Sequence, residues 1–311
     1  MNLNFRRTPQ RSRPKHSSIP ASVPKVNINS NEKKLCAVGA PFDIRSSSCH
    51  EKTPSLFKWT NVPGSYPTVV MDGAITSPKM LNGVPNKYAW ICESMALDCA
   101  VDVNKILTDK RVHASYKKIF ISDKSKLGSS NIEFCYAGSN LPWVRHHDSA
   151  PQKTKICSMI SSAKDSTYGH KYRLKMAEKL KNKLDLFGGA CGSPRIGVEN
   201  KTIYGHMDKS SGIIPYMFSI VMENASYDGY FTEKISDCFA SWTIPVYWGC
   251  KNIGDYFDKN GIIELTDDFN LASLTEELYK SKIDSMANNN RKIKEFIMAD
   301  DYLYQRIISY E

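Results

Sequence analysis

The chain has 311 residues, of which 41% are hydrophobic and 24% charged, a composition typical of a globular protein with a buried core. Its apolar runs are much shorter than the about 20 residues of a membrane-spanning helix, and its N-terminus lacks an apolar signal core, so we expect a cytoplasmic protein. The nine cysteines are widely spaced without a CxxC pair, which predicts reduced, buried thiols and argues against a zinc site.

Residues 1–33 are predicted to be a disordered basic tail. Residues 1–34 hold eight Lys or Arg against one Glu, so they carry most of the formal net charge of +10. Four prolines and many Ser and Asn accompany these charges, which is typical of disorder. Two interpretations stay open: a solvated tail, or an arm that contacts nucleic acid or the lipid headgroups of a membrane, with the protein then peripheral to that surface.

Residues 34–145 alternate short apolar runs with polar loops, which predicts an N-terminal Rossmann-like domain built on a mostly parallel sheet. A helical pattern over 95–107 lies between two of the strand candidates. The strand candidates are 35–41, 68–71, 88–92, 118–122 and 132–136.

The polar, turn-rich stretch that follows predicts an interdomain linker at 146–154. Residues 155–290 repeat the α/β alternation, with a helix over 172–182, and predict a C-terminal Rossmann-like domain. Two helical segments, 273–287 and 291–309, close the chain, and the C-terminal helix within 291–311 could pack back on the N-terminal domain. The predicted fold class is α/β, with two domains that face each other across a cleft. The strand candidates of the second domain are 155–160, 184–187, 217–222, 244–247 and 262–265.

The segment 218–249 carries the strongest chemical signal in the chain. An apolar run, predicted to be a strand, is followed by Glu223 and Asn224. Ligands of α/β proteins bind beyond the carboxyl ends of strands, so these two residues lie where a ligand is expected. Thr232 is predicted to cap the next helix with its hydroxyl. Lys234 then lies beside the positive end of that helix, where a phosphate held by the ammonium and by free N–H groups would explain it. The alternative is a solvated lysine on an exposed helix start.

The same segment resembles the donor-binding signature of the α-1,3/4-fucosyltransferases, glycosyltransferase family 10. That signature runs as F-x(4)-E-N-x(5)-Y-x-T-E-K-I-x-D-(A/C), followed by a strand I-P-(I/V)-Y-W-G. The resemblance covers the C-terminal half of the chain closely and the N-terminal half loosely. The matching positions are Phe218, Glu223, Asn224, Tyr230, Thr232, Glu233, Lys234, Ile235, Asp237, Cys238, Ile244, Pro245, Val246, Tyr247, Trp248 and Gly249.

The resemblance implies a GT-B architecture and an inverting transfer of fucose from GDP-fucose to a hydroxyl of a glycan acceptor. It implies that Lys234 holds the diphosphate and that Glu233 hydrogen-bonds ribose or sugar hydroxyls. Glu223 is expected either to be structural or to contact the sugar. The donor-binding positions implied are Glu223, Asn224, Tyr230, Thr232, Glu233 and Lys234.

Arg195 is the second phosphate ligand that the resemblance implies, since family members carry an arginine in a loop after the equivalent strand. An arginine and a lysine would stabilise the negative charge that builds up on departing GDP. The chain has no Asp-x-Asp motif, which agrees with a site that needs no metal and no other cofactor. An exposed loop charge is the alternative for Arg195.

The general base has to come from the other domain, because it takes the acceptor proton on the face opposite the leaving GDP. Glu93, at the end of the strand candidate 88–92, is the predicted base, and Asp72 at another strand end is the second candidate. The alternative for Glu93 is a helix-terminal glutamate that only satisfies the dipole.

Several alternatives remain open at this level. A loop-to-helix turn in the second domain is either structural or a contact to phosphate or nucleoside; its residues are Ser161, Ser162, Lys164, His170 and Arg173. The acceptor is expected to be an oligosaccharide, a lipopolysaccharide or a capsule-like glycan. The alternative functions are transfer of another nucleotide-linked sugar, and polyanion binding without specific recognition of nucleic acid.

Overall fold

The structure is a computed structural model that describes residues 33–97, 102–129, 131–189 and 209–311. Within these residues the chain forms two parallel β-sheets with helices between their strands. The strands of the first sheet are β1 Lys34–Val38, β2 Lys58–Thr60, β3 Thr68–Met71, β4 Lys87–Trp90, β5 Ile119–Ile121 and β6 Ile132–Phe134. Those of the second are β7 Lys155–Ile160, β8 Asp185–Phe187, β9 Tyr216–Met222, β10 Ile244–Trp248 and β11 Ile263–Glu264. The helices are α1 Pro78–Gly83, α2 Val103–Thr108, α3 Lys110–Ser115, α4 Tyr168–Leu180, α5 Lys209–Ile213, α6 Glu233–Ala240, α7 Glu276–Ser281, α8 Ile283–Glu295 and α9 Ala299–Ile308.

The first sheet has the strand order β2-β1-β3-β4-β5-β6, and its strands pair in parallel. All five strand candidates of this half are confirmed. The edge strand β2 was not predicted, because it has three residues and only Trp59 among them is buried. A strand that short shows no alternation of apolar and polar residues from which to detect it.

The second sheet has the order β11-β10-β9-β7-β8, again with parallel pairing. Counted within this half and starting from β8, the order is 2-1-3-4-5, which is a doubly wound α/β arrangement. In such sheets ligands bind beyond the carboxyl ends of the strands, at the point where the strand order reverses. That point lies between β7 and β9. The predicted fold class, α/β with two Rossmann-like halves, is confirmed.

The helix predicted over 95–107 is wrong in its first part. Residues 95–96 form a turn, residues 98–101 lie outside the described part of the chain, and α2 begins only at Val103. The reason is local capping: the side chain of Asp102 accepts a hydrogen bond from the Lys105 backbone N–H and so starts the helix there. Glu93 therefore precedes a turn rather than a helix.

Other helix boundaries also differ from the prediction. Helix α4 begins four residues earlier than expected, because Thr167 accepts a hydrogen bond from the His170 backbone N–H and caps it. The two predicted C-terminal helices are three shorter ones. The last break falls at 296–298, where Phe296 and Met298 both have extended backbone angles that end α8 before α9 begins.

Helix α9 completes the core of the first sheet. Its buried carboxylate Asp300 accepts hydrogen bonds from the Ser48 backbone N–H at 3.1 Å and from the Trp59 indole at 2.7 Å. Asp301 accepts the backbone N–H groups of residues 55 and 56. The domain limits 34–145, 146–154, 155–290 and 291–311 stay predictions. The α9 residues buried against this core are Ala299, Leu303, Tyr304 and Ile307.

Seven of the nine cysteines fall within the described residues, and all seven are free, buried thiols. Cys99 and Cys191 lie outside these residues, as does the predicted tail 1–33 apart from Lys33. Among the described helices, none has the length and apolar character needed to cross a membrane.

Candidate active site

A cavity of about 690 Å³ lies where the carboxyl ends of the two sheets meet. The first sheet contributes the residues that follow β1, β4 and β6. The second contributes the residues that follow β7 and β9, together with the starts of α4, α5 and α6. This is the location that the strand order of the second sheet indicates for a ligand. The charged side chains that line the cavity are Asp43, Glu93, Lys164, Arg173, Lys209, Glu233, Lys234 and Asp237.

Glu223 follows β9 directly and closes the N-terminus of α6. Its fully buried carboxylate accepts the Thr232 backbone N–H at 2.9 Å and the Thr232 hydroxyl at 2.8 Å. Thr232 is the N-cap of α6, which confirms that prediction. The expectation of free N–H groups at this terminus is wrong for Thr232, because Glu223 occupies its N–H. The carboxylate also supplies the negative charge that the helix dipole favours.

Lys234 and Glu233 belong to one network of buried ions. The Lys234 ammonium lies 2.8 Å from the Thr232 hydroxyl, 3.1 Å from Glu223 and 3.6 Å from Glu233, and it still reaches the cavity. Burial lowers the pKa of Lys234, but the two carboxylates outweigh burial and raise it, so the ammonium stays charged. Burial raises the pKa of Glu233, but Lys209 and Lys234 outweigh it and hold that pKa at about 2. Lys234 is therefore not a solvated lysine on an exposed helix.

Lys209 is a cavity residue that the sequence analysis missed. Its ammonium pairs with Asp237 at 2.8 Å and with Glu233 at 3.2 Å, and it lies 4.4 Å from the centre of the Trp143 ring. Asp237 in turn accepts the backbone N–H groups of Trp143 at 2.6 Å and Val144 at 3.0 Å. These partners are far from Lys209 in the chain, so no local pattern could have indicated that it is buried.

Asn224 and Tyr230 face each other across the loop between β9 and α6. The Tyr230 hydroxyl donates to Asn224 Oδ1 at 2.6 Å, and burial raises the pKa of Tyr230, so the hydroxyl stays protonated. The backbone of Asn224 also touches the first turn of α4. A Cβ on Gly169 would lie 2.5 Å from the Asn224 carbonyl carbon, so only glycine permits this contact.

Arg173 is a buried cation of the cavity that has no ion pair in the described part of the chain. It is only 6% exposed, and its one hydrogen bond there runs from Nη2 to the Ser162 hydroxyl at 2.7 Å. Its Nε is buried and has no hydrogen-bond partner among the described residues. Burial lowers the pKa of Arg173, and nearby Glu223 and Glu233 partly offset that effect.

Cations surround His170 in the first turn of α4, on the Arg173 side of the cavity, which makes this side suitable for an anion. Burial, together with Arg173 and Lys164, lowers the pKa of His170 to about 4, so this histidine is neutral at physiological pH. Its Nδ1 lies 3.1 Å from the Ser166 hydroxyl. Arg195, the arginine that the resemblance implied, lies outside the described residues, and its role stays a prediction.

Glu93 lines the cavity from the first sheet, opposite the donor-binding positions. Asp72 does not line the cavity. Its Oδ1 accepts the backbone N–H groups of Cys92 at 2.9 Å and Glu93 at 3.1 Å, so it lies behind the turn that carries Glu93. Burial and the nearby Glu93 charge raise the pKa of Asp72 to about 7, against the opposing effect of the two hydrogen bonds.

Two doubly wound parallel sheets share a cavity at their carboxyl ends, so the chain is an α/β protein with two Rossmann-like halves, the arrangement expected of the GT-B class. Comparison with known proteins agrees at the level of sequence: residues 150–297 match the profile of Glycosyltransferase family 10 (fucosyltransferase) C-term. An alpha-(1,3)-fucosyltransferase of Helicobacter pylori is 27% identical over 156 residues, which are 50% of this chain and 30% of that protein. Residues 150–297 are therefore similar to the C-terminal region of glycosyltransferase family 10, in agreement with the signature at 218–249.

Solved structures of alpha1,3-fucosyltransferases are also similar to this chain. One is 12% identical with a TM-score of 0.49 and covers 92% of both chains. Another, solved with GDP, is 13% identical with a TM-score of 0.48 and covers 93% of this chain and 92% of its own. The chain spans less than a third of the length of the Helicobacter pylori protein.

Proposed function

We propose that this chain is an inverting glycosyltransferase that moves fucose from GDP-fucose to a hydroxyl of a glycan acceptor. The observation that carries the proposal is that the fucosyltransferase signature and Glu93 line one cavity from opposite sheets. A transferase needs this pairing, because one wall must hold the nucleotide sugar while the other presents a base to the acceptor.

The diphosphate of the donor would lie between Arg173 and Lys234. Among the described residues Arg173 is buried with an unpaired Nε, and the charged ammonium of Lys234 reaches the same cavity. An anion at this place would compensate the guanidinium charge that the described protein groups leave without an ion pair. Arg195 remains a further phosphate ligand that the family resemblance implies.

The remaining donor-binding positions hold the site in shape and offer polar groups to the nucleoside and the sugar. Glu233 is ionised and can accept hydrogen bonds from ribose or sugar hydroxyls, while Asn224 and Tyr230 fix the loop beside it. Glu223 and Thr232 bond to each other and cap α6, so we assign them a structural role in the donor site.

The reaction that this arrangement supports is a single displacement. Glu93 takes the proton of the acceptor hydroxyl, the acceptor oxygen forms a bond to the anomeric carbon of fucose, and the bond from that carbon to the phosphate oxygen breaks. The electron pair stays on the phosphate of GDP, where Arg173 and Lys234 stabilise the added negative charge. Independence of metal ions is part of the proposal and is tested by turnover in the presence of EDTA.

The acceptor site would lie on the side of the first sheet. Phe42, Asp43, Ser46 and His50 line the cavity there and could contact an oligosaccharide, lipopolysaccharide or capsule-like glycan. Contact of the basic tail with a membrane surface also stays a prediction, because residues 1–32 lie outside the described part of the chain.

The first experiment is a thermal-shift scan with GDP, UDP, ADP and CMP, followed by transfer from GDP-fucose to a panel of glycans. A ligand that binds only the folded protein raises the melting temperature, so GDP is expected to stabilise the protein more than the other nucleotides. Stabilisation by UDP without stabilisation by GDP would favour another nucleotide-linked sugar and contradict the proposed donor.

Two variants test the assigned roles. Glu93→Gln is expected to abolish transfer while GDP still binds, and Lys234→Ala is expected to weaken GDP binding and transfer together. Matched controls lie on the outer face of α4: Glu178→Gln and Lys175→Met alter exposed residues whose ion pairs lie at the surface. Unchanged turnover in Glu93→Gln or Lys234→Ala would contradict the role of that residue.

A further inference from the structure

The two walls of the cavity are joined by Tyr227, which lies in the loop between β9 and α6. Its hydroxyl accepts the Met95 backbone N–H at 3.2 Å and lies 3.4 Å from the Ser122 hydroxyl. Met95 and Ser122 both belong to the half that contains the first sheet. One side chain from the donor side therefore reaches the turn that carries Glu93.

The turn after β4, residues 92–97, is held at two points. At its start the Asp72 carboxylate accepts two backbone N–H groups, those of residues 92 and 93. At its far end the Tyr227 hydroxyl accepts the N–H of Met95. Hydrogen bonds at Glu93 itself and at Met95, two residues later, restrain the backbone that carries the Glu93 side chain.

The donor loop, residues 223–230, is also pressed against the first sheet. A Cβ on Gly229 would lie 2.4 Å from the Ser122 carbonyl oxygen, and the backbone of Gly229 has a φ of +89°. The Lys124 backbone N–H donates to the Asp228 carbonyl at 3.0 Å. Glycine at 229 lets the loop approach this closely. The loop therefore has a fixed position against the first sheet, from which Tyr227 reaches the turn.

The same loop holds the donor-binding residues. The rings of Tyr227 and Tyr230 lie 4.8 Å apart, and the Tyr230 hydroxyl bonds to Asn224 within the loop. The two tyrosines thus pack together while their hydroxyls bond on opposite sides of the cavity. Ala96, from the turn, packs in the same small apolar cluster as Tyr230.

We propose that Tyr227 is a positioning residue, whose hydroxyl fixes the Glu93 turn to the donor loop and so sets the distance between the base and the donor. The inference rests on the proposed function, because that distance matters only if Glu93 acts on an acceptor beside the donor. Burial raises the pKa of Tyr227 to about 12, so the hydroxyl remains an uncharged hydrogen-bonding group at neutral pH.

The test compares Tyr227→Phe with Tyr230→Phe, two variants that each remove one hydroxyl from a pair of touching rings. Displacement of the base should lower kcat without changing donor binding. A displacement of about 1 Å can lower the rate on the order of 100-fold. In Tyr227→Phe we expect kcat to fall by about 10- to 100-fold, with the GDP Kd within about twofold of the wild type. Tyr230→Phe should change the GDP Kd instead.

Amide hydrogen exchange at residues 93–97 of the protein without ligand supplies a readout that does not depend on turnover. It should become faster in Tyr227→Phe, because the Met95 N–H loses its acceptor, and should stay as in the wild type in Tyr230→Phe. Unchanged exchange, an unchanged kcat, or a loss confined to GDP affinity in Tyr227→Phe would each overturn the inference. If the wild type neither binds GDP nor transfers fucose, the proposed function fails, and the exchange experiment still decides whether Tyr227 holds the turn.

Discussion

Replacing Arg173 by methionine should make the protein more stable and less active at the same time. Methionine keeps the apolar length of the side chain but removes a guanidinium that is 6% exposed and has an unpaired Nε among the described residues. Its loss leaves no carboxylate without a cation, since Glu223 keeps Lys234 and Glu233 keeps Lys209. The change therefore differs from breaking a buried ion pair.

The magnitudes follow from what is lost on each side. The variant loses one hydrogen bond from the charged guanidinium to Ser162, which contributes about 1.5–3 kcal/mol to stability. It also loses the desolvation penalty of a buried ion, which is several kcal/mol. A net gain of about 1 kcal/mol raises the melting temperature by about 2–4 °C in a domain of 150–250 residues. The variant also lacks a hydrogen-bond donor to the charge that develops on the phosphate, so kcat should fall by about 100- to 1000-fold.

The assay measures the melting temperature with and without GDP, together with kcat and KM for GDP-fucose. We expect the variant to melt higher than the wild type without ligand and to gain less from GDP. Lys175→Met, from the exposed face of the same helix, controls for the loss of one positive charge. A lower melting temperature in Arg173→Met with a proportionate loss of activity would refute the reasoning and make Arg173 a structural residue.

Three further predictions concern the groups around the site. Lys209→Met leaves Glu233 and Asp237 buried with one cation fewer, so the free energy of unfolding in urea should fall by about 3–5 kcal/mol. Asp72→Asn keeps the acceptor oxygen but cannot ionise. The folded state raises the pKa of this carboxyl from 3.8 to about 7. The contribution of Asp72 to the free energy of unfolding is therefore fully present below pH 3.8 and is lost as the pH rises to 7. The free energy of unfolding of the variant should thus exceed that of the wild type increasingly between pH 5 and 7, by roughly 4 kcal/mol at most, and a difference that does not change with pH would contradict this. Gly169→Ala forces apart α4 and the end of β9, so both GDP affinity and melting temperature should drop, which the thermal-shift assay detects.

The segment 218–249 could be predicted from the sequence because its signals are local. The apolar run of β9, the capping hydroxyl of Thr232 and the apolar stripe of α6 lie within one continuous stretch, and the structure reproduces each of them. The role of Glu223 at the N-terminus of α6 depends instead on how the loop between β9 and α6 folds back onto the helix. A carboxylate there competes with a phosphate for the same N–H groups, and sequence spacing does not reveal which of the two occupies them.

Arg173 shows where a usable signal was present but misjudged. The buried face of α4 contains His170, Met176, Ala177 and Leu180, and Arg173 falls on the same face at helical spacing. An arginine inside an apolar stripe is unusual enough to indicate a function. The helix was predicted to begin at 172, which placed Arg173 at the loop-to-helix turn and left its role open. The cap at Thr167 extends the helix backwards and places the arginine in its second turn, where it is buried.

The charges around the cavity favour Arg173 as the residue that would bind an anion. The partly buried cations of the cavity, Lys209 and Lys234, each have carboxylate partners within 4 Å in the described structure, whereas the one hydrogen bond of Arg173 there is to a serine hydroxyl. Its desolvation is completed during folding, so a phosphate that binds there does not have to strip the guanidinium of water again. Groups that are desolvated and oriented in advance interact with developing charge more strongly than solvated ones and need no reorganisation during the reaction. In the proposed function, the ion network of Glu223, Lys234 and Glu233 therefore holds α6 in place and presents Lys234 to the diphosphate, and Arg173 would be the group whose charge the leaving diphosphate neutralises.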